Sequence, residues 1–206
     1  TLPLQIQKVK ERFGLERVVW VSDRGLLTTR RIDTDILPEG LQFITALTST
    51  SIRQLQKQGA IQLSLFDQHD LYELTSPHHR GERFIVCRNP LLQQERKRKR
   101  DELLEATQKD LEKIQAATRR PHHPLRGKEA IALRLGADIG RRKMKKHFHL
   151  DIREDGFDFS RDEDAIREEE SLDGIYVIRT NVQAEQLDTS GAVSCYKRLA
   201  QVERAF

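Results

Sequence analysis

Apolar residues recur along this chain with two different periods, and these periods predict helices that alternate with strands. Residues 4–13 show near-helical spacing of apolar positions, and Gly14 ends that segment. The apolar, β-branched run at 18–21 predicts a buried strand, and a short helical segment through 31–37 separates it from a second strand at 41–47. Strand, helix and strand in this order predict a βαβ unit, and with it an α/β fold.

The remainder of the chain is more polar, and its elements are predicted from shorter patterns. Residues 48–83 carry only short apolar pieces, which predicts hairpins and loops. The alternation of Phe148, Leu150 and Ile152, followed by a turn at 153–156, predicts a hairpin. The other predicted elements are a strand at 83–87, a long charged helix at 91–118, a strand at 174–180 and a helix at 190–206.

Charge is distributed unevenly along the chain. The net charge is +4, but residues 96–146 contain 17 Lys/Arg and 7 Asp/Glu, whereas residues 151–173 contain 3 and 11. A basic block beside an acidic block indicates either a basic surface for nucleic acid or two solvated helix faces of opposite sign. Cys87 and Cys195 fit no metal or redox spacing. No apolar run is long enough to span a bilayer.

Two segments of the sequence carry candidate chemistry. Residues 18–25 read Val-Val-Trp-Val-Ser-Asp-Arg-Gly, so that Asp23 follows a predicted strand, where open α/β sheets hold their functional residues. Residues 196–206 read Tyr-Lys-Arg-Leu-Ala-Gln-Val-Glu-Arg-Ala-Phe, inside the last predicted helix. Tyr196 and Glu203 are seven residues apart in this helix, which predicts that they share one of its faces.

These segments resemble the second-aspartate motif and the terminal glutamate motif of bacterial insertion-sequence transposases, enzymes of the Asp-Asp-Glu type in the insertion-sequence-4-like superfamily. The glutamate motif of that family is Tyr, two residues, Arg, three residues, Glu, six residues and Lys. Tyr196 and Glu203 keep its spacing, Leu199 stands at the Arg position, and the Lys position lies beyond Phe206. The predicted strand at 173–181 also resembles the segment that these enzymes carry ahead of the glutamate helix.

The resemblance implies a partial ribonuclease-H-like catalytic core that is interrupted by a mixed α+β insertion. Residues 1–47 would hold the second-aspartate strand of the core, residues 48–181 would form the insertion, and residues 182–206 would form the catalytic glutamate helix. The first catalytic Asp of the family would lie upstream of Thr1. We therefore expect a fragment that lacks the N-terminal part and the extreme C-terminus, and that is inactive by itself.

The activity that the resemblance implies is metal-dependent DNA strand cleavage and strand transfer during transposition. Three carboxylates would hold two Mg²⁺ ions, or Mn²⁺, about 4 Å apart, where the metals activate a nucleophile and neutralise charge on the phosphodiester. Asp23 and Glu203 would be catalytic residues and metal ligands, and Tyr196 would contact a phosphate. The implied partner is double-stranded DNA, as transposon ends and target, bound by a homodimer of the full-length protein in the bacterial cytoplasm at the nucleoid, without any membrane.

Simpler interpretations of these residues stay open. Asp23 alone suits a helix N-cap or a turn, and Glu203 alone suits a solvated helix acid. Two basic runs are equally consistent with phosphate contact and with solvated helix ends. The DNA contacts predicted in these runs are Arg96, Lys97, Arg98, Lys99, Arg100, Arg141, Arg142, Lys143, Lys145 and Lys146. His147 and His149 are expected on the outer face of the hairpin, and no histidine has zinc-ligand spacing.

Two other functions stay open beside transposition. One is a nuclease of ribonuclease-H fold that hydrolyses DNA without joining it, and the other is a non-catalytic nucleic-acid-binding remnant of a transposase. If the metal site exists, the Asp23 and Glu203 carboxylates must flank a metal pair, so we predict that they lie within about 10 Å of each other.

Overall fold

A mixed β-sheet organises the first of two compact units into which the chain divides. The structure is a computed structural model and describes residues 2–15, 18–62, 66, 70–76 and 79–203. The first unit comprises Thr1–Asn89 and Ile175–Phe206, and the second comprises Pro90–Gly174. The chain thus leaves the unit that contains the sheet after Asn89 and returns to it at Ile175.

The described elements are seven strands and seven α-helices. The strands are β1 (Val19–Val21), β2 (Gln42–Ala46), β3 (Leu71–Leu74), β4 (Arg83–Arg88), β5 (Phe148–Ile152), β6 (Phe157–Arg161) and β7 (Ile175–Thr180). The helices are α1 (Leu2–Phe13), α2 (Thr29–Arg31), α3 (Ser49–Lys57), α4 (Pro90–Thr118), α5 (Lys128–Arg142), α6 (Glu163–Glu170) and α7 (Thr189–Glu203). The sheet of the first unit has the order β1-β2-β7-β4-β3, in which β1 and β2 are parallel and the other neighbours are antiparallel. The fold class is α/β, as predicted.

The connection from β1 to β2 is the predicted βαβ unit. Thr28 caps α2 by accepting a hydrogen bond from the Arg31 N–H, and the chain continues as a π-helix over Ile32–Ile36 and a 3₁₀ turn over Leu37–Glu39. Gly40 ends the segment with a φ of 65°, a left-handed conformation that glycine adopts without a Cβ clash. The parallel pairing of β1 with β2 confirms the prediction.

Alternation along β2 separates the two faces of the sheet. Phe43 lies in a buried cluster with Ile32 and with Ile6 of α1. Ile44, the next residue, lies in a second cluster with Val193 of α7. Because successive strand residues point to opposite faces, helices cover both sides of the sheet.

A buried ion pair joins the β3–β4 connection to β7. Arg179 is 3% exposed and Glu82 is 7% exposed. The guanidinium donates hydrogen bonds to both Glu82 carboxylate oxygens, and its Nη1 donates to Thr29 Oγ1 at 3.0 Å. It also lies over the Phe43 ring, 5.7 Å from the ring centroid. No local sequence pattern predicts this pair, because its members are 97 positions apart.

The second unit has its own apolar core. Its buried members are Leu104, Leu111, Ile114, Ile131, Leu135, Ile139, Met144, Phe148, Phe157 and Ile166. β5 and β6 pair in antiparallel fashion, and the Arg153 N–H donates to the Gly156 carbonyl at 2.9 Å. These hydrogen bonds confirm the predicted hairpin.

Helix α4 has 29 residues and is the longest described helix. At a rise of ~1.5 Å per residue this length would suffice to cross a bilayer, but its sequence is strongly charged. Among the described residues, no helix combines sufficient length with sufficient apolar character to span a membrane.

Two predictions differ from the structure. Residues 48–83, predicted as hairpins and loops, contain helix α3, which has one buried residue, Ile52, and therefore gave no apolar periodicity. Its helical conformation is supported by Thr48, whose side chain accepts a hydrogen bond from the Ser51 N–H. The predicted insertion at 48–181 is also longer than the second unit, which comprises Pro90–Gly174. The difference arises because β3, β4 and β7 are hydrogen-bonded into the sheet of the first unit.

Replacing Arg179 by methionine should destabilise the first unit strongly. Methionine preserves apolar volume but removes the guanidinium from the buried Glu82 carboxylate, and such a loss costs about 3–5 kcal/mol. Urea denaturation followed by circular dichroism measures the free energy of unfolding. Arg30→Met, at an exposed helical position, is the matched control and should leave the midpoint unchanged. Equal midpoints for the two variants would contradict the importance of the pair.

Candidate functional site

Asp23 stands at the carboxyl end of β1 and forms a turn. The Ser22 N–H donates to the Ile44 carbonyl at 3.1 Å, so pairing with β2 reaches the residue before Asp23. Asp23 Oδ1 accepts hydrogen bonds from the N–H groups of Gly25 at 3.2 Å and Leu26 at 2.9 Å. Its Oδ2 accepts none from the described part of the chain, and the side chain is exposed. Asp23 therefore performs the turn role that the sequence left open, through Oδ1 alone among the hydrogen bonds of the described residues.

Helix α7 begins at the edge of the sheet where β2 and β4 begin. Gln42, the first residue of β2, donates to Gln186 Oε1 at 2.6 Å, and Arg83, the first residue of β4, donates to the Leu187 carbonyl at 2.8 Å. β2 and β4 run in the same direction because each is antiparallel to β7. From this edge α7 crosses one face of the sheet, where Val193 is buried and the helix contacts β1, β2 and β7.

The structure describes the side chain of Tyr196 in α7 but not that of Glu203. Tyr196 is half-buried and packs against the apolar cluster that contains Ile44 and Val193. Glu203 is the last residue of α7, and its side chain lies outside the described part of the structure. The approach of the Asp23 and Glu203 carboxylates therefore stays a prediction. Within the ranges that are described, no group of three or more His, Cys, Asp or Glu side chains is placed to hold a metal ion.

The first basic run lies in α4, and most of its charge is paired with carboxylates. Lys97 Nζ lies 2.8 Å from Glu170 Oε1. Arg98 and Lys99 pair with Glu95 of the same helix at 2.9 and 3.2 Å. These ion pairs favour the interpretation of the run as a solvated helix face, because its positive charge is already partly neutralised.

The prediction that Arg100 contacts DNA is wrong, because its guanidinium is buried. Arg100 is 6% exposed, and its Nη1 lies 2.6 Å from Asp173 Oδ2. Burial raises the pKa of the Asp173 carboxyl, against the opposite effect of the Arg100 ion pair. A guanidinium in this position cannot reach a phosphate without leaving a buried carboxylate unpaired. Arg96 of the same run is exposed.

The second basic run shows the same pattern of pairing. Arg142 pairs with Asp110 of α4. Lys146 Nζ lies 2.7 Å from Glu169 Oε2. The other members are Arg141, whose side chain lies outside the description, and the exposed Lys143 and Lys145, which form no ion pair with a described residue.

Helix α6 supplies acidic partners to both basic runs. The hydrogen bond from Lys97 lowers the pKa of the Glu170 carboxyl. Burial raises the pKa of the Glu169 carboxyl, but Lys146 and the neighbouring histidine outweigh burial, and the pKa is lowered. Residues 90–174 contain 20 Lys/Arg and 19 Asp/Glu, so this unit is nearly neutral as a whole. The two charge blocks of the sequence thus meet and neutralise each other in part.

His147 is buried, contrary to the prediction that it lies on the outer face of the hairpin. It is 1% exposed, and its Nε2 lies 2.5 Å from Glu169 Oε2. The reason is that His147 belongs to the 3₁₀ turn Lys145–His147 before β5, so the alternation of the strand starts one residue later. His149, within the strand, is exposed as predicted.

No model of a known protein family matches the chain, and comparisons with curated proteins and with solved structures gave no match. The functional assignment of these residues therefore depends on their chemistry and geometry.

Asp23→Ala should destabilise the turn after β1, whereas Asp23→Asn should not. Alanine removes the acceptor of two backbone N–H groups, and the loss of a comparable cap costs about 0.5–2 kcal/mol. Asparagine keeps the Oδ1 acceptor, so its stability should stay close to that of the wild type. Urea denaturation of the three proteins measures the difference. Wild-type stability of the alanine variant would refute the turn role.

Glu169→Gln combined with Glu170→Gln should increase affinity for duplex DNA. The two substitutions release Lys97 and Lys146 from their ion pairs, and each new phosphate contact steepens the log-log salt dependence by about 0.9 unit. Fluorescence anisotropy at several salt concentrations measures both quantities.

The control for this prediction is Glu105→Gln with Glu163→Gln, which makes the same change in net charge at exposed positions of the same unit and releases neither lysine. An equal gain in affinity for both double variants would show that total charge, rather than release of the lysines, governs binding.

Proposed function

We propose that this chain forms part of a DDE-type transposase, an enzyme that cleaves and joins DNA strands with Mg²⁺ or Mn²⁺. The first unit would be the incomplete ribonuclease-H-like core, and the second unit would be its insertion. Asp23 and Glu203 would be metal ligands. The proposed partner is double-stranded DNA, bound by a dimer of the full-length protein in the bacterial cytoplasm.

The course of α7 is the observation that supports this proposal most directly. The helix has 15 residues, which corresponds to about 22 Å at the α-helical rise. β2 has five residues, which corresponds to about 17 Å of extended chain. A helix that starts at the amino ends of β2 and β4 and crosses the sheet face is thus long enough to end near the opposite edge. Asp23 follows β1 at that opposite edge, because β1 is parallel to β2.

The carboxylate of Asp23 fits a metal ligand. Carboxylate oxygens are the hard ligands that Mg²⁺ and Mn²⁺ prefer, and Asp23 is an exposed residue whose Oδ1 is held by two backbone N–H groups. The backbone hydrogen bonds orient the side chain without using both oxygens. Two bound metals would supply a nucleophile and neutralise charge on the phosphodiester. Asp23 would fix one side of that site, and Tyr196 would contact the DNA backbone beside it.

The proposed metal site requires a third carboxylate, which would come from an aspartate upstream of Thr1. In the described sheet β1 is a terminal strand and pairs with β2 alone. A further strand that paired with the outer edge of β1 in parallel would end beside Asp23. An aspartate at the end of such a strand would complete the group of three.

A non-catalytic nucleic-acid-binding protein is the second candidate function. The turn formed by Asp23 supports it, because this turn explains the residue without any metal. Metal binding and DNA cleavage by suitable variants separate the two candidates.

Mn²⁺ titration of the isotopically labelled chain, followed by nuclear magnetic resonance, should broaden the amide signals of two segments together. These segments are 22–27 and 199–203, because Asp23 and Glu203 would bind the same ions. Asp23→Asn should abolish the broadening of both segments while preserving the turn. Asp33→Asn, at an exposed acidic position of the same unit, should leave it unchanged. Broadening at 199–203 that survives in D23N would contradict a shared site.

Catalysis is tested on a longer protein that includes the reading frame before Thr1. That protein should nick and join DNA in the presence of Mn²⁺, and Asp23→Asn and Glu203→Gln should each abolish both reactions. Nicking without joining would identify a nuclease. Intact DNA with every protein would favour the non-catalytic function.

A further inference from the structure

The second unit contains a cleft that the proposed metal site does not use. It lies between the C-terminal half of α4 and α5 and has a volume of about 690 Å³, which falls in the range of small-ligand pockets. The connection between the helices forms one wall. In that wall the Leu125 N–H donates to the Ala117 carbonyl at 2.9 Å, and the Gly127 N–H donates to the Glu154 carbonyl at 2.9 Å. These backbone hydrogen bonds attach the connection to α4 and to the turn between β5 and β6.

The lining of the cleft carries an excess of positive charge. Lys113, Arg120 and Arg134 line it, and all three side chains are exposed. Asp110 is the one carboxylate among the described lining residues, and it is occupied by ion pairs with Arg142 and Lys113. Arg120 forms no ion pair with any described residue. The described lining therefore carries more positive than negative groups, which suits an anionic ligand, although the unit that contains it is nearly neutral.

The floor of the cleft is apolar. Ile114 belongs to the buried core of the unit, and Leu125 packs against that core. Pro124 continues the apolar surface, and His123 adds a ring at the rim. A ligand that suits this lining carries anionic groups at one side and a flat, weakly polar ring at the other.

A nucleotide of a nucleic-acid strand has this combination of groups. Guanidinium groups bind phosphate oxygens through paired N–H donors, and ammonium groups bind them as point charges. A base can pack against proline, leucine and isoleucine side chains. In a duplex the base is stacked between its neighbours and cannot enter a recess, whereas a base of a single strand can enter it.

We propose that the cleft between α4 and α5 binds a nucleotide of a single-stranded DNA segment, with phosphates held by Lys113, Arg120 and Arg134 and a base packed against Ile114, Pro124 and Leu125. The choice of DNA rests on the proposed function, since strand cleavage and joining expose single-stranded ends. The basic runs at 96–100 and 141–146 are partly neutralised within the unit, and Lys113 of the cleft is likewise paired with Asp110.

The test is fluorescence anisotropy with a labelled single-stranded oligothymidylate of about 12 nucleotides, in EDTA and at several salt concentrations. The triple variant Lys113→Gln, Arg120→Gln, Arg134→Gln should bind about tenfold or more weakly, and its log-log salt slope should fall by about two units for three lost phosphate contacts. Thermal denaturation by circular dichroism verifies that this variant is folded.

The matched control is Lys8→Gln, Arg12→Gln, Arg30→Gln, which removes one lysine and two arginines at exposed positions of the first unit. It should keep the wild-type affinity within about twofold. Equal losses for the two triple variants would overturn the proposal, because affinity would then follow total charge. Absence of oligonucleotide binding by the wild-type chain would also overturn it.

Three further probes test the chemistry of the ligand. An abasic oligonucleotide of the same length should bind more weakly than oligothymidylate, and duplex DNA should compete less well than the single strand. Polyglutamate should fail to compete at equal charge concentration. Equal binding of the abasic strand, or equal competition by duplex or by polyglutamate, would overturn the nucleotide assignment.

Binding of the oligonucleotide is measured independently of the metal site. The assay contains EDTA and measures no chemical step, and Asp33→Asn, at an exposed position of the first unit, should bind the oligonucleotide as the wild type does. Loss of Mn²⁺ binding with intact oligonucleotide binding would reject the proposed catalytic site alone. The reverse combination would reject the cleft alone.

Discussion

The pairing of β7 between β2 and β4 is the interaction on which the first unit depends. β7 pairs along its whole length with β4 and over three residues with β2, and it returns the chain to this sheet after the second unit. Because side chains alternate along a strand, a shift of one residue would move Arg179 to the face covered by α7 and Ile178 to the face of Glu82. The buried pair of Arg179 and Glu82 therefore specifies the register as well as neutralising two charges.

The geometry of the candidate metal site depends on this register of β7. Asn181 follows β7 and binds β2, accepting a hydrogen bond from the Phe43 N–H at 2.8 Å and donating to the Leu41 carbonyl at 3.0 Å. Arg83 donates to the Val182 carbonyl at 2.9 Å. These contacts attach the segment between β7 and α7 to the amino ends of two strands, so the start of α7 and the direction it takes across the sheet follow from the position of β7. Any metal site shared by Asp23 and Glu203 depends on these hydrogen bonds.

Electrostatics in the second unit are decided by contacts between segments rather than by local composition. The basic runs look accessible in the sequence, yet α6 pairs with both of them, and Arg100 is buried against Asp173. These ion pairs neutralise part of the charge of the basic runs. The excess positive charge is left at the cleft between α4 and α5, where the one lining carboxylate among the described residues is already paired.

The sequence by itself determined those elements that depend on near neighbours. The β-branched run before Ser22, the break at Gly40 and the alternation that begins at Phe148 predicted the βαβ unit and the hairpin, and the position of Asp23 after a strand was predicted with them. Only the tertiary structure decided that Arg179 pairs with Glu82, that Arg100 is buried and that α6 neutralises the basic runs. These features depend on partners that are distant in the chain, and an ionisable side chain has the same local signature whether its partner is water, DNA or another segment of the same protein.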